Sequence, residues 1–360
     1  MVGLQSRSYK LRGDGMSYSL TAIMRQSKPL EPGPSVPNTE VKVSKDMTGC
    51  TSKVSLQTQR FDSASKLEFT CIEDSGVAIT EGANIRFVDN GTPIFNGFLF
   101  TAQRTETGEV TYTAYDQLYY LKAKASYAFT NMTLEQIITQ IATDFGLQCG
   151  TLEPTGYVFP CLIKDNTECL GIIFDALTQV IIRTGIIYVF YDDFGKLTLK
   201  KIDKMLVPQM LGNNSLVTAY TYKRDISSNT YNRVKLVRPN KETGRADVFV
   251  HDDQETQKQW GLLQYYDKVD ENLNDAQIDE LCKNYLEYRN RVVQNITISS
   301  MGLTGLRAGN IVPVRIRQIE TLSMNRLLVA EKVTHTYESN AHTMSVEVKN
   351  FDQLGGASWI

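Results

Sequence analysis

The chain has 360 residues, 42% hydrophobic and 22% charged, with a net charge of −2. That length amounts to two or three domains of folded chain and buries a core large enough to do without disulfide staples. The near-neutral balance excludes a protein that holds polyanions by bulk charge. The six cysteines (Cys50, Cys71, Cys149, Cys161, Cys169 and Cys282) contain no CxxC spacing, so zinc-knuckle and thioredoxin-type motifs are absent. Several lie in apolar runs, where a free thiol packs as a small hydrophobe, and this usage suits synthesis in a reducing compartment. The opening MVGLQSRSYKLRGDG lacks the apolar core of a secretory signal. The most apolar stretch, LGIIFDALTQVIIRTGIIYVFY, is broken by Asp175, Gln179 and Arg183, so it reads as core and not as a membrane span.

In chain order, residues 1–40 form an N-terminal segment. It holds a candidate strand, MSYSLTAIM, and a linker, KPLEPGPSVP, with prolines at 29, 32, 34 and 37. Residues 41–125 have a β pattern: KVSLQTQ, KLEFTCI, NIRFV, PIFNGFLF and EVTYTAY are short runs divided by turn-forming clusters. In PIFNGFLF, Ile94, Phe98 and Phe100 share one face while Phe95 and Leu99 share the other, and a strand apolar on both faces needs cover on both. Leu118, Tyr119 and Leu121 then lead out of the sheet. Residues 126–205 predict an α/β module. Thr133 and Gln136 make a capping-box pattern, followed by Ile137, Ile138, Ile141, Ala142 and Phe145 at helical spacing and a stop at Gly146. A second helix carries Leu170, Ile173, Phe174, Leu177 and Ile181 on one face and ends at Gly185, and IIYVFY, DDFGK and LTLKKI predict a hairpin.

Residues 206–352 return to β structure, with an acidic and helical insertion over 252–291 and a tail at 353–360. The insertion's helix opens at Asn274 with Gln277 three residues on, and Ile278, Leu281, Cys282, Tyr285 and Arg289 mark its inner face. Residues 252–280 carry nine acids and two lysines, directly after a block, 222–245, with seven Lys/Arg and two acids. Adjacent blocks of opposite sign fit register-setting contacts within or between chains, or two solvated faces. Segments 81–116 and 307–352 echo each other. Both open on Gly and Asn before a strand, run strand, loop, long strand, turn, strand, and close on an aromatic–Asp pair.

Catalytic motifs are missing. The chain has no GxSxG, no HExxH, no phosphate loop and no dinucleotide fingerprint. The Tyr112, Tyr115, Asp116, Tyr119 and Tyr120 group fits a strand end packed on a neighbouring domain better than a general acid. His335 and His342 alternate with apolar residues near Glu331 and Glu347, which favours half-buried packing over a metal site. Lys122 and Lys124 beside aromatics are too few for a single-strand nucleic-acid surface. No catalytic residue, cofactor or metal is expected.

IFNGFLF leading to YTAYDQLYYL, then TLEQIITQIATDFGL, YNRVKLV, WGLLQYYDKVDE, GLRAGNIVPV and VTHTYESNAHTMSVEV, together resemble the XkdQ/YqbQ-like baseplate hub proteins of contractile phage tails and phage-tail-like bacteriocins. The resemblance runs from about residue 41 to 352. It implies an α+β, mainly β fold: two tail-tube-like β-barrel domains with an α/β module between them and a helical insertion. It further implies a homotrimeric structural hub in the virion or tail-like particle, assembled in the host cytoplasm. The implied partners are the tail tube protein, the central spike protein and a LysM-containing tail protein, with the tape measure protein as a further candidate; no membrane is implied. Phe95, Phe98, Phe100, Tyr115, Tyr119 and Tyr120 are the expected interface residues. The alternatives are a tail-associated cell-wall hydrolase and a carbohydrate-binding β-protein.

Overall fold

The computed structural model describes residues 17–27, 40–72, 79–212, 216–227, 230–240, 244–269, 271, 273–319 and 322–350. The Pro-rich linker and the C-terminal tail lie outside the described residues. The described chain forms two compact units, one within Met1–Tyr220 and Thr297–Val348, the other within Thr221–Ile296.

The first unit opens with seven strands: β1 (Tyr18–Ser27), β2 (Glu40–Asp46), β3 (Thr51–Gln59), β4 (Lys66–Ile72), β5 (Asn84–Asp89), β6 (Thr92–Arg104) and β7 (Glu109–Tyr115). Period-two patterning sends Val54 and Leu56, Leu67 and Phe69, Ile85 and Phe87, and Val110 and Tyr112 to one side. Each such side chain contributes about 1.5–3 kcal/mol of burial. Phe69 and Tyr112 stack with centroids 5.1 Å apart. Gly97 in β6 has no alternative, because a Cβ there would collide with the Tyr115 carbonyl oxygen of β7.

The α/β module follows: β8 (Lys124–Thr133), α1 (Leu134–Asp144), β9 (Cys149–Leu152), β10 (Val158–Glu168), α2 (Cys169–Thr184), β11 (Tyr188–Asp192) and β12 (Leu197–Lys201). Gln136 Oε1 accepts the Thr133 N–H at 2.9 Å, fixing the start of α1. Gly185, at φ 70°, stops α2 in the left-handed conformation. Both helices bury their apolar faces, Ile137, Ile138 and Ile141 on α1 and Ile173, Leu177 and Ile181 on α2. β11 and β12 make the expected hairpin, and β9 adds to β12 in parallel.

Next come β13 (Leu211–Gly212), β14 (Val217–Asp225), β15 (Arg233–Asn240), β16 (Arg245–Asp252), α3 (Gln254–Trp260), β17 (Gln264–Lys268) and α4 (Asp275–Arg289). The second unit holds the sheet β16–β15–β17, with Val234 and Leu236 buried against Ile278 and Cys282 of α4. The inserted unit is therefore larger than the expected 252–291. β15 and β16 belong with it because their apolar face has α4 as its cover.

The chain closes with β18 (Val293–Met301), β19 (Ile311–Ile319), β20 (Leu322–Glu338) and β21 (Ala341–Lys349). Thirteen strands form one sheet in the order β14-β18-β21-β20-β3-β4-β7-β6-β5-β1-β2, with β19 beside β20 and β13 beside β19. The fold is mainly β, as expected, but among the described residues these pairings close no barrel. The reason lies in β20. Its first half pairs with β19, from Ile311↔Val329 to Ile319↔Leu322, and its second half pairs with β3, from Lys332↔Gln59 to Glu338↔Lys53. One 17-residue strand thus stitches the late strands to the early ones. The echoed segments become two antiparallel meanders, β5–β6–β7 and β19–β20–β21, each built on a long middle strand.

Candidate functional site

Alternation along β6 divides its aromatics. Phe95 and Leu99 enter the core, where Phe95 is only 3% exposed. Phe98 and Phe100 take the other face. Asp116 then caps a 3-10 turn, Gln117–Lys122, its Oδ1 accepting the Leu118 N–H at 3.0 Å, and the turn carries Tyr119 and Tyr120 to the same face. Phe100 sits at the centre, 5.5 Å from Tyr115, 4.4 Å from Tyr119 and 5.8 Å from Tyr120, ring centroid to ring centroid. Tyr115 stacks on Tyr119 at 4.5 Å, and Phe98 meets Tyr120 edge-on at 5.8 Å. Lys122 Nζ lies 5.1 Å from the centre of the Tyr119 ring. Five of the six expected interface residues thus form one half-exposed aromatic patch. Phe95 does not join it, because the pleat points it the opposite way.

Beneath the patch is a buried polar network. Asp116 is 1% exposed, and its Oδ2 accepts the Ser65 N–H at 2.9 Å. Gln117 Nε2 donates to Asp192 Oδ2 at 2.7 Å, while Gln117 Oε1 accepts the Gln148 N–H at 3.2 Å. Asp192 Oδ1 accepts the Gly195 N–H at 2.7 Å. Arg307 Nη1 donates to the Asp192 carbonyl oxygen at 2.9 Å, and its guanidinium lies 3.8 Å over the Tyr191 ring. Burial, then the Asp192 charge, pushes Asp116 up to about 7, and burial also raises Asp192. Burial pulls the Arg307 pKa down, with the two carboxylates opposing.

Asp116, Asp192 and Arg307 border a cavity of about 220 Å³ that Thr58 and Leu306 also line. Paired carboxylates with a raised pKa in a cavity are the pattern of acid–base chemistry. Here, however, every carboxylate oxygen of Asp116 and Asp192 already accepts a hydrogen bond from the protein. The arrangement ties the end of β7, the β11–β12 turn and the loop before β19. In sequence Asp192 shows only as part of a turn. Gln117 and Arg307 carry no signal, since their partners are 75 and 115 residues away.

His335 and His342 are hairpin neighbours, with His335 Nδ1 and His342 Nε2 2.9 Å apart. His335 Nε2 lies 2.7 Å from the Leu306 carbonyl oxygen. A carbonyl only accepts, so Nε2 carries hydrogen and Nδ1 accepts from His342 Nε2–H. His342 stacks on Tyr337 at 4.0 Å, and its Nδ1 faces Asp89 Oδ2 at 3.9 Å. Thr304 and Tyr337 hydroxyls donate to the same oxygen at 2.6 and 3.1 Å. The acid beside the histidines is Asp89, and not the neighbouring glutamates: Glu331 pairs with Arg60 at 2.8 Å and Glu347 with Lys332 at 3.7 Å. Among the described residues no group of three or more His, Cys, Asp or Glu converges as a metal site.

This architecture matches solved tail proteins. The 43 kDa tail protein of prophage MuSo2 from Shewanella oneidensis aligns with 93% of the chain and 99% of its own length, at TM-score 0.66 and 12% identity. The Escherichia coli protein c3393 is a type VI secretion system component described as structurally similar to the T4 tail proteins gp27 and gp5. It aligns with 86% of the chain and 76% of its own length, at TM-score 0.51 and 11% identity. The fold is thus that of phage tail and baseplate-like proteins. The chain itself belongs to the YQBQ-like family, whose model matches residues 54–349. Two relatives from Bacillus subtilis strain 168 span most of the chain. YqbQ is 29% identical over 305 residues, 83% of this chain and 91% of its own. The PBSX phage-like element protein XkdQ is 28% identical over 303 residues, 82% and 91%.

Proposed function

We propose that this protein is the hub of a contractile-tail baseplate, a homotrimer that joins the hexameric tail tube to the central spike and encloses the channel. The observation that carries this reading is the pair of meanders, β5–β6–β7 and β19–β20–β21, within one chain. A three-fold ring meets a six-fold tube without orphaned interfaces when each chain offers two similar surfaces. In this reading each meander is the nucleus of one tube-like lobe, the first within 41–125 and the second within 206–352, with the α/β module of 126–205 between them. Six lobes alternate around the axis, and the aromatic patch from Phe98 to Tyr120 is covered by a neighbouring subunit. The likeness of c3393 to gp27 and gp5 supports the assignment. The tail tube and spike proteins are the direct partners, and a LysM-containing protein and the tape measure protein are further ones.

The role is mechanical and makes no bonds, so the particle baseplate is where the protein works. The cell-wall hydrolase reading would have Asp116 and Asp192 as its acid pair, and the hydrogen bond that each of their oxygens already accepts from the protein weighs against it. Native mass spectrometry of the purified chain and of the particle tests the hub: a trimer in either supports it. A folded monomer at high micromolar concentration, with no trimer in the particle, overturns it.

A further inference from the structure

Cys50 and Cys71 come together at the open end of the β3–β4 hairpin. Cys50 ends the 3-10 turn Thr48–Cys50 immediately before β3, and Cys71 is opposite Thr51, the first residue of β3. The Met47 carbonyl oxygen gathers this corner, accepting from the Thr51 hydroxyl at 2.6 Å and the Cys50 thiol at 3.2 Å. Thr51 Oγ1 is in turn 3.3 Å from Cys71 Sγ. Both thiols thus belong to one cluster, joined through the Met47 carbonyl oxygen and the Thr51 hydroxyl. Cys50 is half-buried, and Cys71 lies in the core of the first unit.

We propose that Cys50 and Cys71 form a disulfide when the folded protein meets a small-molecule disulfide, closing the open end of the β3–β4 hairpin covalently. Cys50, the more accessible sulfur, attacks first. Its thiolate displaces one thiolate from the small disulfide and forms a mixed disulfide. Cys71 gives up its proton and attacks Cys50 Sγ, which releases the second small thiolate. The protein loses two hydrogens and two electrons, and one small disulfide becomes two thiols. The order fits the electrostatics. The hydrogen bond from Cys71 brings Cys50 down to about 7, against the opposing effect of burial, and the same bond raises Cys71. The staple would be absent in a reducing cytoplasm and would form once the protein is outside it. This inference does not rest on the hub assignment.

The test treats the native full chain with oxidised glutathione, quenches with iodoacetamide and maps peptides by mass spectrometry. The expected product is a peptide pair linked through Cys50 and Cys71, together with a melting temperature several degrees above that of the dithiothreitol-treated protein. Cys71→Ser should remove the link and the shift and leave glutathione trapped on Cys50. Cys50→Ser, at the half-buried position on the edge of the core, should also remove both and leave Cys71 unmodified. Two outcomes overturn the proposal: both thiols alkylated after native oxidation, or glutathione persisting on Cys50 of the wild type with Cys71 still free.

Discussion

His342 Nε2–H donates to His335 Nδ1 across 2.9 Å, inside the first unit, where Asp89 is fully buried. The Leu306 carbonyl holds the hydrogen of the neutral His335 ring on Nε2, which leaves Nδ1 as the acceptor. Burial lowers His335 from 6.5 to about 4, with the nearby His342 also disfavouring charge and the Leu306 bond and Asp89 opposing.

A pH dependence follows. Between pH 6.5 and about 4 the unfolded chain binds a proton at His335 that the folded chain refuses. Stability from this group is therefore complete above 6.5 and is lost as pH falls toward 4, by up to about 3 kcal/mol. Burial lowers His342 too, which adds a loss of the same sign. Asp116 acts oppositely: folded Asp116 holds a proton between 3.8 and about 7 that the unfolded chain releases, so it favours folding as pH falls. Urea unfolding at pH 7 and pH 4, in wild type and His335→Gln, separates the terms. The wild type should lose about 3 kcal/mol more than the variant. Equal losses in the two proteins would show that His335 does not titrate as the structure requires.

Asp116 offers a second prediction. Its two oxygens take the N–H groups of Ser65 and Leu118, and it helps neutralise buried Arg307. Asp116→Ala leaves both N–H groups without partners and, above about pH 7 where Asp116 is ionised, also removes a counter-charge. The expected cost is about 2–4 kcal/mol, read as a lower urea midpoint with the helical and strand signals retained. A peptidoglycan-release assay should find no soluble muropeptides from the wild type. Release that Asp116→Asn abolishes while the fold survives would make this a catalytic pair instead.

Gly97 and Gly108 form a contrasting pair. Gly97→Ala drives a methyl into the backbone of β7, which neither strand can yield, and should cost about 2–3 kcal/mol. Gly108, at φ 80° in the β6–β7 turn, has open space around the same position, so Gly108→Ala pays only conformational strain of about 1 kcal/mol. Thermal melts of the two variants should rank in that order, and the reverse ranking would contradict the β6–β7 register at Tyr115.

How much was legible beforehand depended on the range of the interactions. Gln136 and Gly185 mark their helix ends within a few residues, and the α4 cap is a full box, Asn274 Oδ1 accepting from Gln277 N–H at 2.9 Å and Gln277 Oε1 from Asn274 N–H at 3.0 Å. The two faces of β6 follow from the pleat, although alternation alone does not say which face is core. The junction chemistry was hidden because Gln117, Asp192 and Arg307 meet only after the chain has folded. The pairing of β20 with β3 was hidden for the same reason, since Lys332 and Gln59 are far apart in sequence. The echo between the meanders was visible, yet their turns differ. Asn90 and Gly91, both at positive φ, join the first and middle strands of one, while Ser339 and Asn340 join the middle and last strands of the other. Each is a two-residue turn of the kind that matches strand twist.

The last prediction separates the two sides of β6. Phe95 and Phe100 are five residues apart on one strand, and both were expected at an interface. Phe95 is packed in the core of the first unit, so Phe95→Ala should cost about 3–5 kcal/mol whatever the assembly state. Phe100 packs on Tyr115, Tyr119 and Tyr120 in a patch where Tyr120 is 39% exposed. Phe100→Asp should leave the subunit folded, because its neighbours face outward and the core beneath is unchanged. If a neighbouring subunit covers the patch, a charge there loses its hydration without gaining a partner, which is among the costliest changes an interface can carry. The expected result is a folded subunit that fails to assemble, read by light scattering beside circular dichroism. Wild-type assembly by Phe100→Asp would remove the patch from the interface and move the search to another surface of the same subunit.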